Sequence, residues 1–220
     1  MAYGFLNTDV DISNKALLLI HQPSIDRLND NSSIQAKSCN LIYENARLSL
    51  LENYDWTFAT KREGLDVIEN GDVSATGYPY VYSLPNDFVR LIYILDSSGK
   101  RLMPPYSKID PYLYENKRIY CAKAPIYDEE TNDEIPSVFA QYVYDFQRVD
   151  QMPEYFKNCI ALRMALELSK TFDDSNQYIQ MLNAEYASTV NEARTIDAQQ
   201  ALLESHSFYG DFDSDPWSRV

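Results

Sequence analysis

The stretch IQAKSCNLIYENARLSLLENYDWTFATKREGLDVI, residues 34 to 68, changes its periodicity halfway along, and that change decides the fold. In its first half Ile34, Cys39, Ile42, Ala46 and Leu50, with Leu41, Leu48 and Leu51 beside them, recur at three and four. Such spacing makes a wide helical stripe, suited to more than one neighbour. Ser32 or Ser33 can accept the first orphan N–H groups, so a helix is predicted over about 33–53. After Asn53, Trp56 and Phe58 alternate with Thr57 and Ala59, the mark of an extended segment leaving the helix.

Upstream, ISNKALLLIHQ (12–22) is helix-compatible, with Ser13 or Asn14 able to cap it and Pro23 standing past its end. Downstream lies a β region over about 55–150. Tyr80, Tyr82 and Leu84 alternate with Val81 and Ser83, Pro85 stops the run, and FVRLIYIL (88–95) is a continuous apolar stretch of strand length. Ile119 to Ala122 and Val138 to Phe146 are two further strands. Between them AKAPIYDEETNDEIP (122–136) is acidic and flanked by proline, which allows turns but no buried ladder. Short connections imply antiparallel pairing.

The last third returns to helix. Pro153 suits a first turn, and Tyr155, Phe156, Cys159, Ile160, Met164 and Leu168 keep helical spacing, predicting a helix over 152–171. Asp173, Asp174 and Ser175 break and re-cap the chain, and a final helix follows over 175–204, with Tyr178, Leu182, Tyr186, Val190 and Ala193 along one side. Its outer half, NEARTIDAQQALLES, is poor in large apolar residues and is expected to project from the core. Residues 205–220 have no period and are expected to be a disordered tail in the free chain. The predicted fold is α+β, mainly α: an antiparallel bundle of about four helices in one domain over 1–204, with the β region inserted and the last helix and tail extended.

At 220 residues the chain can bury a core without disulfides, and its net charge of −14 opposes phosphate and anionic lipid at long range. No apolar run approaches membrane-span length, and the acidic N-terminal stretch predicts no export. Cys39, Cys121 and Cys159 have no metal-finger spacing and read as core thiols of a reducing compartment. Eighteen tyrosines, including Tyr78, Tyr80, Tyr82, Tyr106, Tyr112 and Tyr114, are more than sheet surface alone calls for and point to meeting surfaces.

Six scattered glycines form neither a dinucleotide fingerprint nor a phosphate loop, and His21 and His206 are too far apart in sequence to suggest a triad or zinc site. Asp211, Asp213 and Asp215 open like a calcium loop, but Pro216 stands where glycine is required. Asp128, Glu129, Glu130, Asp133 and Glu134 read as a solvated turn. The expectation is no catalytic residue, no metal and no cofactor. In contrast, Phe208, Tyr209, Phe212 and Trp217 surrounded by acids read as an anchor whose rings enter pockets on a partner while the charges orient it.

Four segments, KALLLIHQPSI (15–25), ARLSLLENYDWTFATKREGL (46–65), YVYSLPNDFVRLIYI (80–94) and MPEYFKNCIALRMALELS (152–169), together span most of the chain. In this order they resemble the tail tubular protein A family, the head-to-tail adaptors of short-tailed bacteriophages. Trp56-Thr57-Phe58-Ala59 followed by Leu84-Pro85-x-Asp87 is the most specific pair; the acidic loop 128–134 and the aromatic tail depart from the pattern.

The resemblance implies a structural protein of the virion tail or neck, assembled in the host cytoplasm. It implies a dodecameric ring under the portal protein, receiving the tail nozzle or next ring below and framing the channel for genome ejection. Duplex DNA would pass without specific binding, no membrane would be involved, and the C-terminal segment would reach the portal through Phe208, Tyr209, Phe212 and Trp217. Two other readings remain beside it: a cell-wall-degrading tail hydrolase using carboxylates such as Glu63, Asp66 or the 128–134 acids, and an acidic regulator bound to a host protein.

Overall fold

The computed structural model describes residues 6–70, 77–102, 112–128, 130, 134–172 and 176–208. The fold is mixed α+β, and the chain divides into two compact units. One comprises Met1–Leu50, Trp56–Phe58 and Gln147–Val220; the other comprises Leu51–Asp55 and Ala59–Phe146.

The first unit is helical. Helix α1 (Asp9–Leu19) is capped not by Ser13 or Asn14 but by Thr8. The Thr8 hydroxyl accepts from Asp11 N at 3.1 Å and the Asp11 carboxylate accepts from Thr8 N at 3.0 Å, a reciprocal box closed one turn before the apolar pattern begins. Ser13 is buried within the helix, and the Asn14 amide instead brackets Ile25, donating to its carbonyl and accepting from its N–H. The helix ends with His21 at φ 55°, while Gln22 N donates to Leu17 O and His21 N to Leu18 O, so His21 is a left-handed terminator.

In α2 (Ile34–Glu52) the Ser33 hydroxyl accepts from Ala36 N. Its buried residues Ala36, Cys39, Tyr43, Ala46, Arg47, Leu50 and Leu51 step by three and four, with the neighbours 46/47 and 50/51 widening the stripe toward the C-terminal end. Ile34 and Leu41 lie on the far side, 61 % and 75 % exposed. Among the described residues the buried Tyr43 hydroxyl has no hydrogen-bond partner. A buried unsatisfied hydroxyl costs about 1–3 kcal/mol, so Tyr43→Phe is expected to stabilise the protein by about 1 kcal/mol, read as a higher urea midpoint at unchanged slope.

Helix α3 (Glu154–Thr171) packs against both α1 and α4 (Asn176–Phe208). It is accordingly buried on several sides, through Phe156, Cys159, Ile160, Met164, Ala165 and Leu168. In α4, Leu182, Val190, Ala193 and Asp197 are buried at steps of eight, three and four. The outer half therefore docks at least as far as Asp197, where the sequence predicts that it projects, because a buried carboxylate does the work of an apolar side chain there.

The second unit is antiparallel β. Strands β1 (Thr60–Gly64), β4 (Phe88–Asp96) and β9 (Val138–Tyr144) form a sheet in the order β1-β9-β4. Strands β2 (Val67–Asn70), β3 (Tyr80–Ser83), β5 (Tyr112–Glu115) and β6 (Arg118–Cys121) form another in the order β2-β3-β6-β5. Both enclose a core of Leu65, Tyr82, Ile94, Leu102, Ile119, Cys121, Val138, Ala140 and Tyr142. The Tyr82 hydroxyl donates to Lys123 O at 2.7 Å and meets Ser137 Oγ at 3.0 Å, which satisfies it inside the core. Within the acidic loop, β7 (Ile126–Tyr127) and β8 (Glu134–Ile135) pair as a short exposed ribbon. That loop thus holds a ladder, though not a buried one.

The Trp56–Ala59 segment is also not extended: Thr57–Ala59 is a 3-10 turn, and the strand begins only at Thr60. Strand β1 then approaches the chain closely, since a Cβ on Gly64 would lie 2.5 Å from Pro136 Cβ. Only glycine fits that contact.

Candidate functional site

The two sequence signatures fall in different units, and each is the centre of a polar arrangement. In the helical unit Trp56 is fully buried and its Nε1 donates to Leu50 O at 2.8 Å, tying the 3-10 turn to the end of α2. Its ring lies stacked with Tyr155 at 6.2 Å and edge-on to Phe156 at 5.1 Å, and Phe58 meets Phe156 at 4.9 Å. These are the separations at which ring quadrupoles attract.

Asp197 completes this site. It is 1 % exposed, and its carboxylate accepts from Thr57 N at 3.0 and 3.2 Å, from Thr57 Oγ1 at 3.0 Å and from the Tyr155 hydroxyl at 2.8 Å. One carboxylate on α4 therefore caps the 3-10 turn and holds α3. Sequence reasoning passes over Asp197. The signal was present, because residues 190, 193 and 197 continue the buried spacing of α4.

In the β unit Leu84 packs against the core, and Pro85 O accepts from Phe88 N at 3.1 Å, turning the chain into β4. Asp87 joins an ion cluster on the edge of the β1-β9-β4 sheet. Lys61 Nζ lies 2.8 Å from Asp87 Oδ2 and 2.9 Å from Glu63 Oε2, and 5.4 and 5.2 Å from the ring centres of Tyr142 and Tyr144. The Tyr142 hydroxyl is 2.9 Å from both carboxylates and has one proton to share between them.

The hydrogen bonds from Lys61 and then Tyr142 hold the Glu63 carboxyl below its ordinary range. Burial would raise Asp87, but the same two donors outweigh it and lower it too. Burial raises the Tyr142 phenol; for Lys61 burial opposes the charge, but its bonds to Asp87 and Glu63 prevail and raise it. Glu63, one of the carboxylates considered for hydrolysis, is thus held ionised, the wrong state for a general acid near neutrality.

Lowered carboxyls stabilise the fold fully above their ordinary values of 4.5 and 3.8, and that stability is lost as pH falls through the lower folded values. The protein should therefore lose stability as acid is added below about pH 4.5, and Lys61→Met should flatten that loss. These side chains are a third or more exposed, so at pH 7 the substitution should cost no more than about 1 kcal/mol. Urea midpoints measured at pH 7, 5, 4 and 3 read both effects.

The three thiols are buried, and burial pushes Cys39 and Cys121 up to about 11 and Cys159 to about 12, which leaves them protonated and unreactive. Asp66 is exposed, and its carbonyl accepts from Ser83 N. Of the anchor residues Phe208 closes α4, whereas Tyr209, Phe212 and Trp217 lie outside the described residues, as do Tyr106, Glu129 and Asp133. Among the described residues no cluster of His, Cys, Asp or Glu could hold a metal ion, and no helix is long and apolar enough to cross a membrane. No family model matches the chain, and no curated protein matches it.

Proposed function

We propose that this protein is a ring-forming structural adaptor of a short-tailed phage particle, seated between the portal and the tail and framing the channel for DNA. The observation that carries the reading is the construction of α4. It is 33 residues long, about 50 Å at 1.5 Å per residue, is held at Asp197, and continues to Phe208, where the aromatic and acidic tail begins. A rigid rod docked along α3 as far as Asp197 and ending in an anchor segment suits docking to a larger shell. In this reading the helices form an antiparallel bundle that dominates the fold, and the β unit is an insertion into it.

Phe208, Tyr209, Phe212 and Trp217 are then the portal contacts, and the nozzle or next ring takes the opposite side. The net charge of −14 favours a channel wall that duplex DNA slides past, since each phosphate contact by a basic side chain would add counterion-release affinity. Truncation after Glu204 tests the assignment against purified portal. The truncated subunit should keep its circular dichroism and urea midpoint yet fail to cosediment with portal. Normal assembly of the truncated chain would overturn the reading.

A further inference from the structure

The β1-β9-β4 sheet keeps Val138, Ala140 and Tyr142 on its core side. Its other side carries Phe139 and Gln141 of β9, and Arg62 of β1 and Tyr93 of β4 both stand in register with Gln141. Arg101 pairs with Leu95, which stands opposite Phe139. Each of the two arginines lies over a ring. The Arg62 guanidinium is 4.9 Å from the centre of the Phe139 ring, and the Arg101 guanidinium is 4.0 Å from that of Tyr93. Both arginines are exposed, and Phe139, Gln141 and Tyr93 are half-buried.

What this face offers an occupant is hydrogen-bond donors. Among the described residues neither Arg62 nor Arg101 has an acidic partner, whereas Arg90, on the same side of the sheet, is paired with Asp55 at 3.1 Å. The Tyr93 hydroxyl donates to Gln141 Oε1, which occupies the acceptor of that amide and leaves its NH₂ to donate. A guanidinium held flat on a ring keeps its N–H edge in a fixed plane, the geometry that matches the oxygens of a phosphate or a carboxylate. In a chain of net charge −14, two such cations with an amide donor between them select an anion with several acceptor oxygens.

Two further features choose the anion. The guanidiniums cap the rings, so the face has no apolar recess for the aromatic or aliphatic anchor that a protein partner would bury. The same capping leaves no open ring on which the bases of a single strand could stack. A ligand whose entire contact is polar loses nothing by either. We infer that this sheet face meets the phosphate backbone of duplex DNA, with one phosphate at Arg62, one at Arg101 and Gln141 donating between them. Such a contact positions the duplex and reads no sequence. The inference deepens the adaptor reading by naming the side chains that face the DNA, and it rests on that reading for the presence of DNA beside the protein. Two contacts make a light hold. At a salt exponent of about −0.9 per contact, affinity falls about twelvefold between about 50 and 200 mM salt, against roughly 10³–10⁵ for proteins that make six to ten. DNA held so lightly still slides.

Fluorescence anisotropy of a labelled duplex of about 20 base pairs, titrated with the full-length chain at several salt concentrations, tests the assignment. The native chain should bind with an exponent of about −1.8. Arg62→Gln and Arg101→Gln should each reduce it to about −0.9, so that the twelvefold drop becomes about fourfold, and the double variant should lose salt-sensitive binding. Arg62→Lys with Arg101→Lys keeps both charges and should keep the exponent, which ties the loss in the glutamine variants to charge and not to folding. Arg148→Gln removes the same charge from an exposed arginine paired with Asp150, and should leave the exponent at its native value.

No binding by the native chain at about 50 mM salt, glutamine variants that bind like the native chain, or an equal loss in Arg148→Gln would each overturn the inference. Tighter binding of the single strand than of the duplex would overturn it too. So would displacement of the duplex by polyglutamate at equal charge, which would assign the face to an acidic protein. The measurement contains no portal, and cosedimentation of the truncated chain with portal needs no contact at Arg62 or Arg101, so failure of this contact is distinguishable from failure of the adaptor reading.

Discussion

Replacing Trp56 with alanine should cost about 4 kcal/mol, enough to remove much of the stability of a typical domain. The ring is fully buried, and large aromatic-to-alanine changes in cores cost about 3–5 kcal/mol through lost transfer energy and the cavity left behind. Two further terms add to this. The Leu50 carbonyl loses its 2.8 Å bond to Nε1, and the stacked and edge-on contacts with Tyr155 and Phe156 disappear. Trp56→Phe should keep most of the packing and lose only the bond and part of the volume, for about 1.5–2 kcal/mol. Urea titration followed by circular dichroism reads both. Fluorescence would follow only Trp217 in these variants, since the chain has two tryptophans.

Asp197→Ala should cost about 3 kcal/mol. The carboxylate accepts from three donors, the Thr57 N–H, the Thr57 hydroxyl and the Tyr155 hydroxyl, and hydrogen bonds to a charged acceptor contribute about 1.5–3 kcal/mol each before the partial exposure of Thr57 and Tyr155 is allowed for. Removing it takes the acceptor from the Thr57 N–H and hydroxyl and leaves the 3-10 turn without its cap, while the Tyr155 hydroxyl can still donate to Gln200 Oε1 at 3.2 Å. Asp197→Asn should be intermediate, because one amide oxygen still accepts while the NH₂ faces a donor. A double-mutant cycle with Tyr155→Phe isolates one bond. Tyr155→Phe should cost much less in the Asp197→Ala background than in the native chain, and equal costs in the two backgrounds would show that the phenol and carboxylate are not coupled.

The sequence made the repeating parts of this molecule legible and left the reciprocal ones hidden. The apolar spacing in 34–50 and 156–168 sufficed for α2 and α3, and the continuous run 88–95 sufficed for β4, because burial imposes a period. Strands β2 and β5 are no shorter than β3 and β6 but escaped because their sequences, VIEN and YLYE, do not alternate apolar with polar residues. The Thr8–Asp11 cap escaped because it lies outside the apolar pattern that drew attention to Ile12–Gln22.

The Trp56–Ala59 turn was misread for a related reason. Two periods fit four residues equally well, and the choice is made by Asp197, 140 residues away. At the ion cluster, Asp87 was picked out by resemblance and Glu63 as a candidate carboxylate. Their meeting with Lys61 depends on the register that sets Lys61 opposite Tyr142, which no single segment encodes.

The helical unit is assembled from both ends of the polypeptide, with Met1–Leu50 and Gln147–Val220 separated by nearly the whole β unit, and α1 packs on α3. During synthesis α1 therefore leaves the ribosome long before the helix that covers it. At about 5–20 residues per second the roughly one hundred intervening residues amount to a wait of roughly 5–20 s. The β unit, whose strands are all contained in that interval, can close first. Nascent chains of which the first 150 or so residues have emerged from the ribosome should accordingly have a protease-resistant β unit and a digestible N-terminal segment, which makes the adhesive side of α1 the natural client of a chaperone during that interval.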